Sequence, residues 1–430
     1  MKKINQIALI GALTAMSWSL MAQQTPAPKQ NEAISLVGAT AHLGNGQVIQ
    51  QATLVFENGQ IIALGGPETP TKGHIISASG KHIYPGFITM GTSLGLIEVD
   101  AVKATDDQSD IGDMIPHVRS IIAYDAESKV VESMRPNGVL MSQVSPKGGM
   151  ISGSSSVVQL DAWNWEDAAV KTDEGIHISW PNPISQGRWW MGEDPGMKPN
   201  KNYPQQVDRL IQFIQEAKAY HQGGSSTRNE PYEALKDLLS GVDVAYVEAD
   251  SERQIIDAVS RLKSVGVQKI ALMGGREAYK VIPMLLENQV SVITQATHQL
   301  PFDADADYDM PFKLPKILAD SGLVVAMHNM NEANHQNRNL PFYAGQLIGQ
   351  GMNPEEALQL ITQNPAKIMG IDDRYGTLEV GKSATLFISQ GDALDMRTNQ
   401  IEHAFIDGRH ISLDTHQTKL YQRYSGKFQQ

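Results

Sequence analysis

Short apolar runs separated by turn residues open the chain. Residues 34–37, 52–56, 61–64 and 74–78 read as strands, divided by Asn45-Gly46, Asn58-Gly59 and Gly65-Gly66-Pro67. Asn58-Gly59, between Val55-Phe56 and Ile61-Ile62, has the chemistry of a two-residue hairpin turn. The same character returns near the other end. Gly381-Lys382 precedes an apolar run over 384–388, and Asp407-Gly408 follows another over 404–406. Strands at both ends predict one small β-sandwich assembled from residues 34–84 and 372–415.

The middle of the chain changes period. An apolar run over 242–248 is followed by Ile255, Ile256, Val259 and Leu262 at helical spacing, and Gly266 breaks the chain before 267–273. Gly274-Gly275 leads to Val281, Ile282, Leu285 and Leu286, and 290–294 and 323–327 follow as further short runs. Strands alternating with helices predict βα units around a parallel sheet. Residues 205–220 add a helical stripe through Val207, Leu210, Ile211, Ile214 and Ala217. Asn353, Pro354 and Glu356 read as N-cap, N1 and N3 of a capping box; Asn364-Pro365 repeats the start signal and Gly370 supplies a stop. Residues 85–371 are enough for an eight-stranded α/β barrel, and an open doubly wound sheet has the same periodicity.

The N-terminus reads as an address. Lys2 and Lys3 precede an apolar run over 7–22, no acidic residue occurs before Glu32, and the chain turns polar after Ala22. That run falls short of the ~20 residues that span a bilayer. It predicts a secretory signal over 1–22, a linker over 23–33 and a periplasmic destination. No later stretch is long and apolar enough to cross a membrane.

Composition then narrows the chemistry. The 430 residues carry 35 Lys+Arg against 47 Asp+Glu, a formal charge of −12, which argues against a nucleic-acid partner. Hydrophobic residues at 41% exclude a disordered chain. There is no cysteine, so disulfides, thiolate nucleophiles, zinc fingers and iron–sulfur centres are excluded together.

One ordered set of residues carries a family likeness. It comprises Pro85-Gly86-Phe87-Ile88 and Leu94-Gly95, then Asn339-Leu340-Pro341-Phe342, Gly351, Ala357, Thr362, Asn364-Pro365-Ala366, Gly370, Gly376 and Gly381-Lys382. The set resembles the amidohydrolase superfamily, especially its imidazolonepropionase-like branch. The resemblance implies a distorted (β/α)8 TIM-like barrel over 85–371 beside a β-sandwich built from both chain ends. It further implies one or two divalent metals such as zinc, and hydrolysis of C–N bonds in non-peptide or cyclic amides.

The metal-binding positions depart from that family. Its first strand runs into Asp-x-His-x-His, whereas residues 89–93 here read Thr-Met-Gly-Thr-Ser, placing Gly91 and Ser93 at the histidines. Glu248 stands for the fifth-strand histidine, Gly274 or Gly275 for the sixth, and Met330 for the aspartate of the last strand. Glycine offers no ligand, and a hydroxyl is a poor substitute for imidazole. Two functions follow: an exported hydrolase with a remodelled site, or a non-catalytic relative that binds a small-molecule ligand or an active paralogue. A homo-oligomer also stays open.

Candidate chemistry is sought at the C-terminal ends of the barrel strands. Glu248 ends one predicted strand, His298 follows another and His328 ends a third, so a carboxylate and two imidazoles are expected to meet as an acid–base set. The alternative is that Glu248 pairs with a basic residue while the histidines satisfy backbone groups. Asp303, Asp305, Asp307 and Asp309 alternate, a pattern that suits calcium or a solvated acidic loop. Residues 141–229 read as a long insertion carrying Trp163, Trp165, Trp180, Trp189 and Trp190, an apolar surface over the mouth or an accessory cluster. Within it, Gly153-Ser154-Ser155-Ser156 reads as a flexible loop.

Overall fold

The computed structural model describes residues 25–187, 189–194, 196–223, 227–302, 305–329 and 334–428. The expected signal segment, Asp303 and Met330 lie outside the described residues.

The N-terminal strands are β1 (Ile34–His42), β2 (Val48–Glu57), β3 (Gln60–Gly65), β4 (His74–Ser77) and β5 (His82–Pro85). β2 and β3 meet at Asn58 and Gly59, with φ of 50° and 83°, the left-handed pair that an Asn-Gly hairpin requires. β1 is a branch point. It pairs with β2 along its length, with β4 through Ile34–Val37, and with β5 through Thr40 and Ala41.

A closed barrel follows. Its strands are β6 (Phe87–Thr92), β7 (Val139–Val144), β8 (Ile151–Gln159) and β9 (Ala169–Ser179), and then, past a short hairpin of β10 (Ile184–Gln186) and β11 (Met197–Pro199), β12 (Val244–Ala249), β13 (Lys269–Gly274), β14 (Ser291–Gln295) and β15 (Val325–His328). Strand alternation sends Met90, Met141, Val157, Tyr246, Met273 and Ile293 inward. The other face of the wall, with Ala245, Val247, Ile270, Leu272, Val292 and Val325, packs in the larger core with the helices. The helix Glu252–Val265 shows why these helices form where they do. Ser251 and Gln254 close a capping box at its start, Ile255, Val259 and Leu262 are buried, and Gly266 ends it in the left-handed conformation. The helical stripe expected over 205–220 lies within the helix Tyr203–Gly223.

Three expectations change here. β8 runs antiparallel to both β7 and β9, so the barrel is not a uniform βα repeat. Residues 141–229 are also not an insertion, because they hold most of β7 and all of β8 and β9, parts of the wall itself. Gly153–Ser156 lies inside β8, buried throughout, where a loop was expected. The hydrophobic pattern hides this strand because its hydroxyls face polar partners. Ser154 Oγ–H donates to Asp173 at 2.8 Å, Ser155 Oγ–H to Glu174 at 2.6 Å, and Ser156 Oγ accepts from the Asp173 N–H at 2.9 Å.

At the N-terminal end of the strands, Ala366, Ile368 and Met369 close the barrel interior, and Asn364 Nδ2 donates to the Val325 carbonyl at 2.7 Å. Asn353 caps the helix Pro354–Gln359 by accepting from the Glu355 N–H at 2.8 Å. The capping box expected through Glu356 is not formed, and Glu355 reaches His42 Nδ1 at 2.6 Å. Finally β16 (Leu386–Ser389), β17 (Ile401–Ile406) and β18 (Arg409–Ile411) join β5, giving an eight-stranded sheet of order β18-β17-β16-β5-β1-β2-β3 with β4 on β1. Both chain ends therefore share one hydrogen-bonded sheet, branched at β1.

Candidate active site at the barrel mouth

A cavity of about 560 Å3 opens at the C-terminal ends of the parallel strands. Ser179 ends β9, Glu248 and Ala249 end β12, Met273 and Gly274 end β13, Gln295 ends β14 and His328 ends β15, and all of them line it. The strand order supplies this convergence, since each terminal side chain projects from a different stave. Cross-strand register puts Glu248 beside Ser179 on β9 and Met273 on β13, and Gln295 beside His328.

Charge at the mouth is organised around Glu248. Burial pushes its carboxyl above the ordinary range; the nearby Lys147 charge and a hydrogen bond from Ser179 oppose the rise, and Asp250 adds to it. Burial lowers Lys147, against the pull of Glu248. Arg276 is held by Gln295 Oε1, which accepts from Nε at 3.2 Å and from Nη2 at 2.8 Å. Its guanidinium lies over the Phe302 ring, 5.0 Å from the centroid, with Asp250 at 3.7 Å. Burial holds His328 down at about 3, with Lys147 and Arg276 contributing, so this imidazole is neutral at pH 7.

A second polar layer lies within the barrel wall. Glu174 is fully buried and accepts from Gln143 Nε2 and Ser155 Oγ, each at 2.6 Å, and from Tyr246 Oη at 2.7 Å. Burial raises its carboxyl, and these three donors pull it back. His177 stacks on Tyr246, with centroids 4.9 Å apart. It is buried, burial lowers it to about 3, and neither ring nitrogen has a hydrogen-bond partner among the described residues.

The expected trio is only partly assembled. Glu248 and His328 line the same cavity, whereas His298 does not. His298 is exposed, with its Nε2 3.2 Å from Gln346 Oε1 and its ring against Tyr343 and Phe312. The chain has already turned away by that point, because β14 ends at Gln295. Of the alternating aspartates, Asp307 and Asp309 both pair with Lys313, at 3.3 and 2.6 Å. Lys147, Ser179 and Arg276 are the mouth residues that the apolar pattern does not single out. Their signal is position, since Lys147 follows β7 and Arg276 follows β13 within a few residues.

The donor set can be tested against a divalent metal. The Gly91 N–H donates to Gln143 Oε1 at 3.0 Å, and Ser93 Oγ–H donates to Gln108 Oε1 at 3.0 Å. Gly275 has a φ of 63°, and a Cβ there would meet Leu272 Cδ2 at 2.9 Å. A side chain at that position would therefore be strained and crowded. Among the described residues no three His, Asp or Glu side chains gather as metal ligands. Zinc takes four ligands, at least three of them usually from protein, and this donor set does not fit it.

Known proteins agree with the architecture. Residues 326–411 match the amidohydrolase family. No curated protein matches the chain. Among solved structures, an amidohydrolase from Thermotoga maritima MSB8 is similar with a TM-score of 0.77 at 20% identity, covering 88% of this chain and 99% of that one. A Xaa-Pro dipeptidase with bound methionine in its active site has a TM-score of 0.55 at 13% identity, covering 88% of this chain and 100% of its own. A prolidase complexed with N-methylphosphonate-L-proline has a TM-score of 0.54 at 13% identity, covering 88% and 99%. These structures share the fold seen here, an α/β fold with an eight-stranded barrel, and residues 326–411 carry the amidohydrolase match.

Proposed function

We propose that this scaffold is a hydrolase of C–N bonds in non-peptide or cyclic amides, exported to the periplasm and working at the barrel mouth. The observation that carries the reading is Glu248, a largely buried carboxyl at the end of β12 whose affinity for a proton is raised by burial. Such a group holds its proton to a higher pH than an ordinary carboxylate, which suits a carboxyl that takes up and returns a proton. Glu248 takes a proton from water as its oxygen bonds to the amide carbon, and returns that proton to the nitrogen as the C–N bond breaks. The Lys147 ammonium, close enough to influence both Glu248 and His328, stabilises the developing oxyanion. No step here passes through a metal. Gly91, Ser93, Glu248, Gly275 and Met330 are read as the substituted ligand positions of an imidazolonepropionase-like ancestor.

A specific feature favours a second reading. The left-handed backbone at Gly275 suits a glycine and no ligating side chain, as expected of a relative that keeps the cavity for binding alone. One experiment separates the two. Protein purified without chelator is assayed for metal content, for amine release from N-acyl amino acids and for ring opening of hydantoin and dihydrouracil, beside Glu248→Gln. Turnover by the wild type that falls about 10²–10⁴-fold in the variant supports hydrolysis through Glu248. Turnover unaffected by the substitution refutes that role. Binding without turnover selects the second reading, and stoichiometric zinc overturns the substituted-site interpretation.

A further inference from the structure

The mouth cavity has two unlike walls. The ionic wall holds Glu248, with Asp250 and Glu277 along the same rim. The apolar wall includes the β10–β11 hairpin, whose Ile184 and Met197 line the cavity. This hairpin is anchored at its base. The Asn200 N–H donates to the Pro183 carbonyl at 2.9 Å, Asn200 Nδ2 to the Asn182 carbonyl at 2.8 Å, and Asn182 Oδ1 accepts from the Ile184 N–H at 2.9 Å. Between the strands lies the short turn Trp189–Met191, in which the two indoles form a T-shaped pair with centroids 6.2 Å apart.

These side chains are open to solvent. Ile184 is 47% exposed, Met197 69%, Trp189 70% and Trp190 68%. Trp180, at the root of the same segment, shows the opposite behaviour: it is buried, and its indole N–H donates to Tyr203 Oη at 3.1 Å. Of these exposed side chains Ile184 and Met197 line the cavity, and Trp189 and Trp190 lie in the turn that joins their two strands. Apolar surface concentrated at a cavity rim marks a place where an apolar group is covered on binding.

We propose that the mouth binds amides carrying a bulky apolar or aromatic group, with that group along Ile184 and Met197 beside the Trp189–Trp190 pair and the amide directed toward Glu248. The inference rests on the mouth being the ligand site, and it does not require that the bound amide be hydrolysed.

Two matched probes test it: N-acetylglycinamide and N-(3-phenylpropanoyl)glycinamide, titrated by calorimetry and by tryptophan emission. The bulky probe is expected to bind at least about tenfold more tightly, the effect of adding a few apolar carbons to a fitted wall, and to shift the emission to shorter wavelength. Ile184→Ser with Met197→Ser should remove that preference, and Trp189→Ala with Trp190→Ala should remove the emission shift; melting curves verify that both variants fold. Equal affinity for the two probes, absence of binding by the bulky one, or a preference that survives both pairs of substitutions overturns the proposal. Turnover is read in the same samples. A tenfold preference without amine release supports this inference while refuting hydrolysis, so the two readings fail separately.

Discussion

Asp161 joins three remote parts of the chain, and its substitution should destabilise the whole molecule. Its Oδ1 accepts from Arg135 Nη1 at 3.0 Å, and its Oδ2 accepts from Arg409 Nη1 and from the Ala27 N–H, each at 2.9 Å. The side chains are 2% exposed for Asp161, 5% for Arg135 and 14% for Arg409, so solvent does little to screen them. Burial already lowers Arg135, and Asp161 is the largest influence holding its charge in place. Asp161→Asn keeps the shape and removes the charge, leaving two guanidinium groups without a carboxylate. Breaking a buried pair in this way costs about 3–5 kcal/mol. With an unfolding entropy of about 2.1 cal/mol/K per residue over roughly 400 residues, that is a fall in Tm of about 4–6 °C. Differential scanning calorimetry measures it, with Arg228→Ala as the control. Arg228 pairs with Glu230 at 3.0 Å on the open surface, where removal should leave Tm unmoved. A Tm for Asp161→Asn within about 1 °C of wild type would refute the reasoning, because the predicted cost is several times larger.

Three further outcomes follow from the same structure. Gly153 has a φ of 129°, and a Cβ there would lie 2.3 Å from the Val118 carbonyl oxygen, so Gly153→Ala should cost about 2 kcal/mol or more in a denaturant titration; a flexible loop would accept it unchanged. His177 is lowered to about 3 in the folded chain against its ordinary 6.5, so the unfolded state binds the extra proton first. Its contribution is present above 6.5 and is lost as pH falls toward 3, at up to about 1.4 kcal/mol per pH unit; His177→Phe should flatten the acid limb of a Tm-versus-pH curve, and an unaltered limb would count against it. Since burial raises Glu248, the base form fills at a higher pH than for an ordinary carboxylate, and the acid limb of kcat/KM should sit correspondingly high. A pH-rate profile checks this, and a limb at the unperturbed value would disprove the assignment.

Much of the fold was legible because local chemistry and tertiary context agree. Asn58-Gly59 turns the chain where a left-handed pair is needed, and Ser251 to Gly266 brackets its helix with a cap at each end. β12 to β15 are aliphatic on both faces, since their inner side chains fill the barrel and their outer ones meet helices, and such runs read as strands on any scale. β8 was illegible for the converse reason. Its serines and glycine are buried against Asp173, Glu174 and the Val118 backbone, and hydrogen bonding across strands leaves no trace in hydropathy. The candidate site divides in the same way. Glu248 and His328 were placed because each ends a readable strand, whereas His298 lies past the end of β14 and was carried outward to Gln346. Lys147 and Arg276 reach the mouth through turns whose direction no periodicity records.

The sequence by itself determined the strand-rich ends, the alternating centre and the glycine-bounded helices, and it puts glycine, serine and glycine at positions 91, 93 and 275. These are properties of residue type and spacing, and they hold before any long-range contact forms. Only the tertiary structure decided that β8 runs backwards in the wall, that Glu174 is satisfied inside the barrel, and that Lys147 and Glu248 share one mouth. Each of those depends on which residue, tens or hundreds of positions away, a polar group finds when water is excluded, and burial turns such a meeting into a charge shift or a fold constraint.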